Sequence, residues 1–245
     1  MGFFSSLGVG SMGAGSFGGA ALESFTQERA LAVATKGQIL LTFTNRIRLD
    51  FADTWVYHVK ALKMTNYLVG ATDAEVPSLD FYPALLTANR TSRTARAENL
   101  VQTLSRPTAP SSQALEGLRA RKIPRFPMQT NLPTGEWAWG SPSFKALGPH
   151  KIELIYKSIQ WGLEVLITDI DALVLRDPFP YVDRWPDAGF LTTTDHLHNS
   201  TAATDDRLEL HNSIHTAFNI GYIFFRKSSL PLVEEWRWAY YMAII

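Results

Sequence analysis

The chain has 245 residues, 46% hydrophobic and 19% charged, enough to bury a sizeable core in one domain, which excludes disorder and fibrous repeats for most of its length. Lys and Arg total 23 and so do Asp and Glu, so whole-chain charge gives no electrostatic argument for a nucleic-acid or anionic-membrane partner. With no cysteine, disulfides, thiolate metal sites and cysteine nucleophiles are excluded, while the redox compartment stays open.

Residues 1–22 hold seven of the sixteen glycines and no charge, and residues 1–37 read as a flexible Gly/Ser-rich N-terminal segment outside the fold. The segment lacks the basic flank of a signal peptide and the roughly 20 solidly apolar residues of a membrane span. A weak secretory leader is left open. Gly2 and Ser6 fit the loose myristoylation pattern, which the bulky Phe3 and Phe4 disfavour.

The remainder, 38–245, reads as one domain. Residues 38–44 are apolar and β-branched and predict a strand; Phe51, Trp55, Val59 and Leu62 then follow helical spacing over 51–63. A second short strand at 67–70 ends at Ala71-Thr72-Asp73, giving a β-α-β opening with a parallel pair. From 84 to 126 the pattern dissolves. Eight Lys/Arg against two Asp/Glu, with a Pro/Ser-rich connector at 105–113, read as a basic surface insertion, the alternative being a phosphate-facing or acceptor-facing loop. A helix is predicted over 142–161, with Ile152, Ile155 and Ile159 on one face and Gly162 as its stop. Strands follow at 163–171, 187–195 and 217–225. Alternating strands and helices with apolar central strands define an α/β class with a largely parallel sheet, whose ligands sit at the carboxyl ends of the strands.

Asp169-Ile170-Asp171 is the sharpest feature. At the end of an apolar strand, period-2 geometry is expected to direct both carboxylates to one side, a placement suited to sharing a hard divalent cation. A solvated loop is the competing reading. Four of the six histidines, His196, His198, His211 and His215, lie within twenty residues, with Asp195, Asp205, Asp206 and Glu209 among them. A polar, mobile loop is the simplest account, and substrate contact ranks above zinc, because Asn212 stands where a metalloprotease helix needs Glu. Asn219 and Gly221 interrupt an apolar strand, as an ordinary bulge or to admit a ligand closely. Lys151 and Lys157 read as solvated helix residues, with phosphate binding as the alternative.

The blocks LLTFTN (40–45), TWVYHV (54–59), LVGATD (68–73), WGSPSFKALG (139–148), ITDIDALVLRDPFPY (167–181), PDAGFLTTTD (186–195) and AFNIGYIFFR (217–226) occur in the order and manner of a known family. Together they resemble the nucleotide-diphospho-sugar transferases of glycosyltransferase family 77, nearest in kind to the plant and algal arabinosyltransferases of hydroxyproline-rich glycoproteins. The basic stretch is longer than the family leads one to expect. The resemblance implies a GT-A fold that binds a UDP-sugar and a divalent cation, Mn²⁺ or Mg²⁺, and transfers the sugar, arabinose favoured, with retention to a glycoprotein or cell-wall polysaccharide. It also implies Asp169 near the ribose and Asp171 on the metal, the two forming the metal pair, with Thr44, Asn45 and Asp73 lining the nucleoside pocket. Lys151 is thereby placed on the diphosphate and Gly221 in the donor site, with Asp195 and Asn219 as the catalytic residues flanking the transferred sugar.

Relatives continue beyond the segment 217–240 and carry a late histidine for the metal, so the resemblance further implies a chain truncated at its carboxyl end, or His211 or His215 as substitute. It implies a Golgi lumenal location, although no membrane anchor is evident, and the sequons at Asn89 and Asn199 agree weakly with that. A catalytically inactive nucleotide-sugar-binding or scaffold module is the alternative function. A phosphotransferase with Asp169 as nucleophile is disfavoured by Leu173, where that chemistry wants Thr or Val.

Overall fold

The computed structural model describes residues 25–74, 112–130, 132, 135, 138, 140–194 and 218–242. Six strands form one sheet in the order β3-β2-β1-β4-β6-β5: β1 (Gln38–Thr44), β2 (Tyr67–Ala74), β3 (Arg125–Gln129), β4 (Glu164–Thr168), β5 (Phe190–Thr194) and β6 (Phe218–Phe225). The run β3-β2-β1-β4 is parallel throughout, and β6 is inserted antiparallel between β4 and β5.

All seven residues of β1 are buried, which explains an apolar run with no polar alternation: the strand lies mid-sheet and both faces are covered. Leu40 joins the cluster of Trp55, Val59, Tyr67, Leu118 and Phe224 on one face. Its neighbours Ile39 and Leu41 join Phe126, Ile155, Ile159, Phe225 and Val233 on the other. The first face is closed by α2 (Leu49–Ala61) and α3 (Gln113–Ala120); the second by α1 (Gln27–Val33), α5 (Leu147–Gln160) and α7 (Leu230–Met242). Two four-residue helices, α4 (Pro142–Lys145) and α6 (Phe179–Val182), and 3-10 turns at Arg46–Arg48 and Lys227–Ser229 complete the described elements.

Four expectations are corrected. Residues 25–37 are not loose chain: Thr26 accepts from the Arg29 N–H to cap α1, and the Phe25 ring packs 4.7 Å from Phe126 and 5.1 Å from Trp161. The basic stretch 84–126 is not wholly a surface insertion, because 113–120 is α3 and 125–129 is the sheet's edge strand. Its arginines and lysines had masked the buried set Leu115, Leu118, Ile123 and Phe126, and Pro127 is tolerated because β3 is an edge. The helix expected over 142–161 is two, divided at Ala146. Pro149 has no N–H to bond back to Lys145, so a helix cannot run through it, but it fits in the first turn of α5. Finally, β4 stops at Thr168, so the two acids lie beyond the strand.

Three of the helices that lead into parallel strands end alike. Gly162 after α5 has φ +79°, with Gly162 N–H bonding the Ile159 carbonyl at 2.9 Å and Leu163 N–H the Ser158 carbonyl at 3.0 Å. Lys63 after α2 and Lys122 after α3 adopt the same left-handed turn at φ 59° and 55°. Their followers close it too, Met64 N–H onto Val59 and Ile123 N–H onto Leu118. Each turn reverses the chain within two residues and aims it into the sheet. A side chain in this region costs about 1–2 kcal/mol, so Gly162→Ala is expected to lower unfolding stability by roughly 1 kcal/mol. Lys122→Gly should raise it by roughly 0.5 kcal/mol after the entropy glycine loses, both read from urea unfolding midpoints.

Candidate functional site

The parallel strands β1, β2 and β4 all deliver their carboxyl ends to one edge of the sheet. Thr44 is in register with Ala71, and Leu41 with Ile167, so Thr44-Asn45, Thr72-Asp73 and Asp169 emerge abreast. In open α/β sheets this edge, where chain direction permits a crevice, holds the ligand.

At the end of β1, the Thr44 hydroxyl donates to the Arg48 carbonyl at 3.0 Å and so closes the short 3-10 turn Arg46–Arg48. Asn45 is buried; its Nδ2 donates to the Gly135 carbonyl at 3.2 Å, and its Oδ1 has no hydrogen-bond partner among the described residues. An orphaned buried acceptor is costly unless something donates to it. At the end of β2, the buried Asp73 carboxylate accepts from the Ser112 hydroxyl at 2.6 Å and from the Ala114 N–H at 3.1 Å. Asp73 and Ser112 thus satisfy the first N–H groups of α3, and the Asp73 oxygens are engaged by the chain at the rim of the edge.

At the end of β4, Asp169 N–H bonds the Gly221 carbonyl at 2.8 Å, and Ala172 N–H bonds back to the Asp169 carbonyl at 3.1 Å. The two acids therefore flank a turn. Their relative direction is set by that turn and not by strand alternation, which corrects the period-2 expectation, and Asp171 is exposed on it. Lys151, on α5, donates to Asp169 Oδ1 at 2.6 Å and to the Ile220 carbonyl at 3.1 Å. Its side chain is 8% exposed against 40% for Asp169, so the ion pair meets solvent through the carboxylate. The reading of Lys151 as solvated is overturned, whereas Lys157 on the same helix is exposed. The ring of Phe43 lies 5.6 Å from the ammonium and screens it from the core side.

Strand β6 is broken for this arrangement. Its pairing with β5 jumps from Thr192–Ile223 to Thr193–Asn219, so Ile220, Gly221 and Tyr222 form a bulge. Within it the Gly221 N–H donates to Asn219 Oδ1 at 2.6 Å. A Cβ on Gly221 would lie 2.7 Å from Asn219 Oδ1 and 2.9 Å from Asp169 Oδ2, so a side chain there obliges both of these oxygens to shift. Burial, with Asp177 adding to it, pushes the Tyr222 phenol far up, which keeps it a neutral hydroxyl at physiological pH. Burial lowers the pKa of His150 on the same helix, against an opposing pull from Glu153.

The structure thus gathers Lys151, Asp169, Asn219 and Gly221 at one point and sets Thr44, Asn45 and Asp73 along the same sheet edge. Asp195, the histidines between 196 and 215, and both sequons lie outside the described residues. Sequence reasoning missed Phe43 and the Ile220 carbonyl. Phe43 had a signal, since alternation from Ile39 and Leu41 places it on the α5 side; a main-chain carbonyl leaves none.

Among the described residues no group of three or more His, Asp or Glu is assembled as a metal cage. Two carboxylates on a turn, one of them braced by a lysine, fit a hard cation that draws its remaining ligands from phosphate oxygens and water.

Residues 109–239 match the nucleotide-diphospho-sugar transferase family, and the chain belongs to it. The α/β class with a mostly parallel central sheet is that expected of its GT-A members. Arabinosyltransferase XEG113 of Arabidopsis thaliana is 30% identical over 201 residues, covering 81% of this chain and 25% of that protein. The chain therefore spans about a quarter of the length of this curated relative. No solved structure matches.

Gly221→Ala is expected to displace both Asn219 and Asp169 side chains, because their oxygens are pinned by Gly221 N–H and by Lys151. Urea unfolding should show a loss of roughly 1–3 kcal/mol, the usual range for overpacking.

Proposed function

We propose that this chain is the nucleotide-sugar-binding part of a glycosyltransferase that moves a sugar from a UDP-sugar to a hydroxyl of a glycoprotein or cell-wall polysaccharide. The observation that carries the reading is the braced Asp169 carboxylate and the exposed Asp171 at the carboxyl edge of β4, inside the region that matches the family. Arabinose is the favoured sugar because the relative bears that name. Retention of anomeric configuration and a Golgi lumenal setting belong to the same proposal.

Asp169 and Asp171 would hold a divalent cation, Mn²⁺ or Mg²⁺, which when bound neutralises the charge of the departing diphosphate. The chain's own residues do the positioning. Asn45 stands at the end of β1 on the base side of the rim, and Thr44 fixes the turn that carries it. Asp73 shapes the same rim by anchoring α3. The family resemblance assigns Asn219 and Asp195 to the transferred sugar. Catalysis of this kind rests on holding donor and acceptor in line and stabilising the leaving group.

The test is calorimetric titration of UDP with and without Mn²⁺, in the native chain and in Asp171→Ala. Mn²⁺ is expected to tighten UDP binding about tenfold or more, and removal of the carboxylate to abolish that gain. A folded chain that binds no UDP in the presence of Mn²⁺ contradicts the proposal.

A further inference from the structure

A lysine beside a family acid motif invites assignment to the donor's phosphates, yet the donors of Lys151 are directed elsewhere. Its ammonium is held at 2.6 Å by Asp169 Oδ1 and at 3.1 Å by the Ile220 carbonyl, and the face of Phe43 lies 5.6 Å away. These contacts come from the turn after β4 and from strands β6 and β1, while the lysine itself stands on α5. The pair is asymmetric: the lysine is almost entirely enclosed and the carboxylate is partly open to solvent. An enclosed ammonium needs a neutralising partner, and only the carboxylate among its contacts carries charge. The second oxygen, Asp169 Oδ2, lies close beside Gly221, on the bulge that the lysine holds through the preceding carbonyl.

We propose that Lys151 is a positioning residue: it fixes the Asp169 carboxylate and the Ile220–Gly221 bulge in one geometry and so presents Asp169 to the cation, without itself touching the diphosphate. The inference rests on the nucleotide-sugar reading above. It deepens that reading by moving Lys151 from the ligand to the carboxylate. Flexible carboxylates bind cations poorly, and groups that hydrogen-bond a ligating side chain commonly contribute about ten- to a hundredfold to metal affinity. Lysine suits this place because three donors on one compact charge can meet acceptors from two strands at once.

Two variants of the 245-residue chain, Lys151→Met and Lys151→Arg, separate this from direct phosphate contact. UDP affinity is measured by calorimetry with and without Mn²⁺, and far-UV circular dichroism reports folding. The expected result is an UDP affinity about tenfold weaker in Lys151→Met with Mn²⁺ present, and unchanged within about twofold in its absence. Lys151→Arg, which keeps the charge and more than one donor, should recover most of the loss. An equal loss with and without Mn²⁺ would mean that the lysine touches the phosphates, and an unchanged affinity would leave it a core ion pair; either overturns the inference alone. Should Lys151→Met not fold, Lys151→Gln, which keeps a donor for the Ile220 carbonyl, carries the same comparison. Failure of the native chain to bind UDP at all overturns the nucleotide-sugar reading, and this inference with it.

Discussion

A positive charge enclosed by a protein must be neutralised where it lies, and in this chain the contact between Lys151 and Asp169 meets that requirement at the one edge where three parallel strands end together. The pair ties α5 to β4. Through the Ile220 carbonyl it also ties both to β6, whose antiparallel course would otherwise carry it past the edge without turning a residue toward it. The bulge in β6, with Gly221 inside it, and the turn after Thr168 meet around this one carboxylate. The opposite end of the sheet is secured by other charges: Arg226 bridges Glu164 at 3.1 Å and donates to the Val182 carbonyl at 2.7 Å, and Gln38 joins Glu164 to Asp183. The sheet is thus fixed at both ends of β4.

The helices bear on the site by where they stop. Three left-handed turns, at Lys63, Lys122 and Gly162, return the chain to β2, β3 and β4 in parallel. Parallel return places every strand's carboxyl end on the same side, so side chains from distant parts of the sequence converge without any local motif to announce it. Asp73 shows the other use of a strand end, where a carboxylate is committed to a helix N-terminus and sets the rim rather than the centre of the site.

Much of this was legible in the sequence, for identifiable reasons. Strands β1 and β6 were found near their true bounds because long apolar, β-branched runs have few alternatives, and α2 because Trp55 and Val59 recur at helical spacing. The acids were found because an apolar strand ending in charge is abrupt. What stayed hidden depended on contacts far apart in the chain. The basic residues around Leu115, Leu118 and Phe126 obscured a helix and an edge strand that are recognisable only once the sheet offers a face to cover. Lys151 shares the stripe of Ile155 and Ser158 on α5, and its burial makes sense only with Asp169 eighteen positions later. The end of β4 at Thr168 agrees with propensity, since threonine favours strands and aspartate does not, and the apolar run before the acids hides that boundary.

The central claim is that the carboxyl edge of β4 is where a nucleotide diphosphate and its cation meet the chain. Anomalous diffraction from crystals grown with UDP and Mn²⁺ locates both at once. The account predicts the manganese peak beside Asp169 and Asp171, with the diphosphate against it and the base toward Asn45. A manganese peak or a nucleotide lodged anywhere else on the molecule, with those carboxylates untouched, would contradict it.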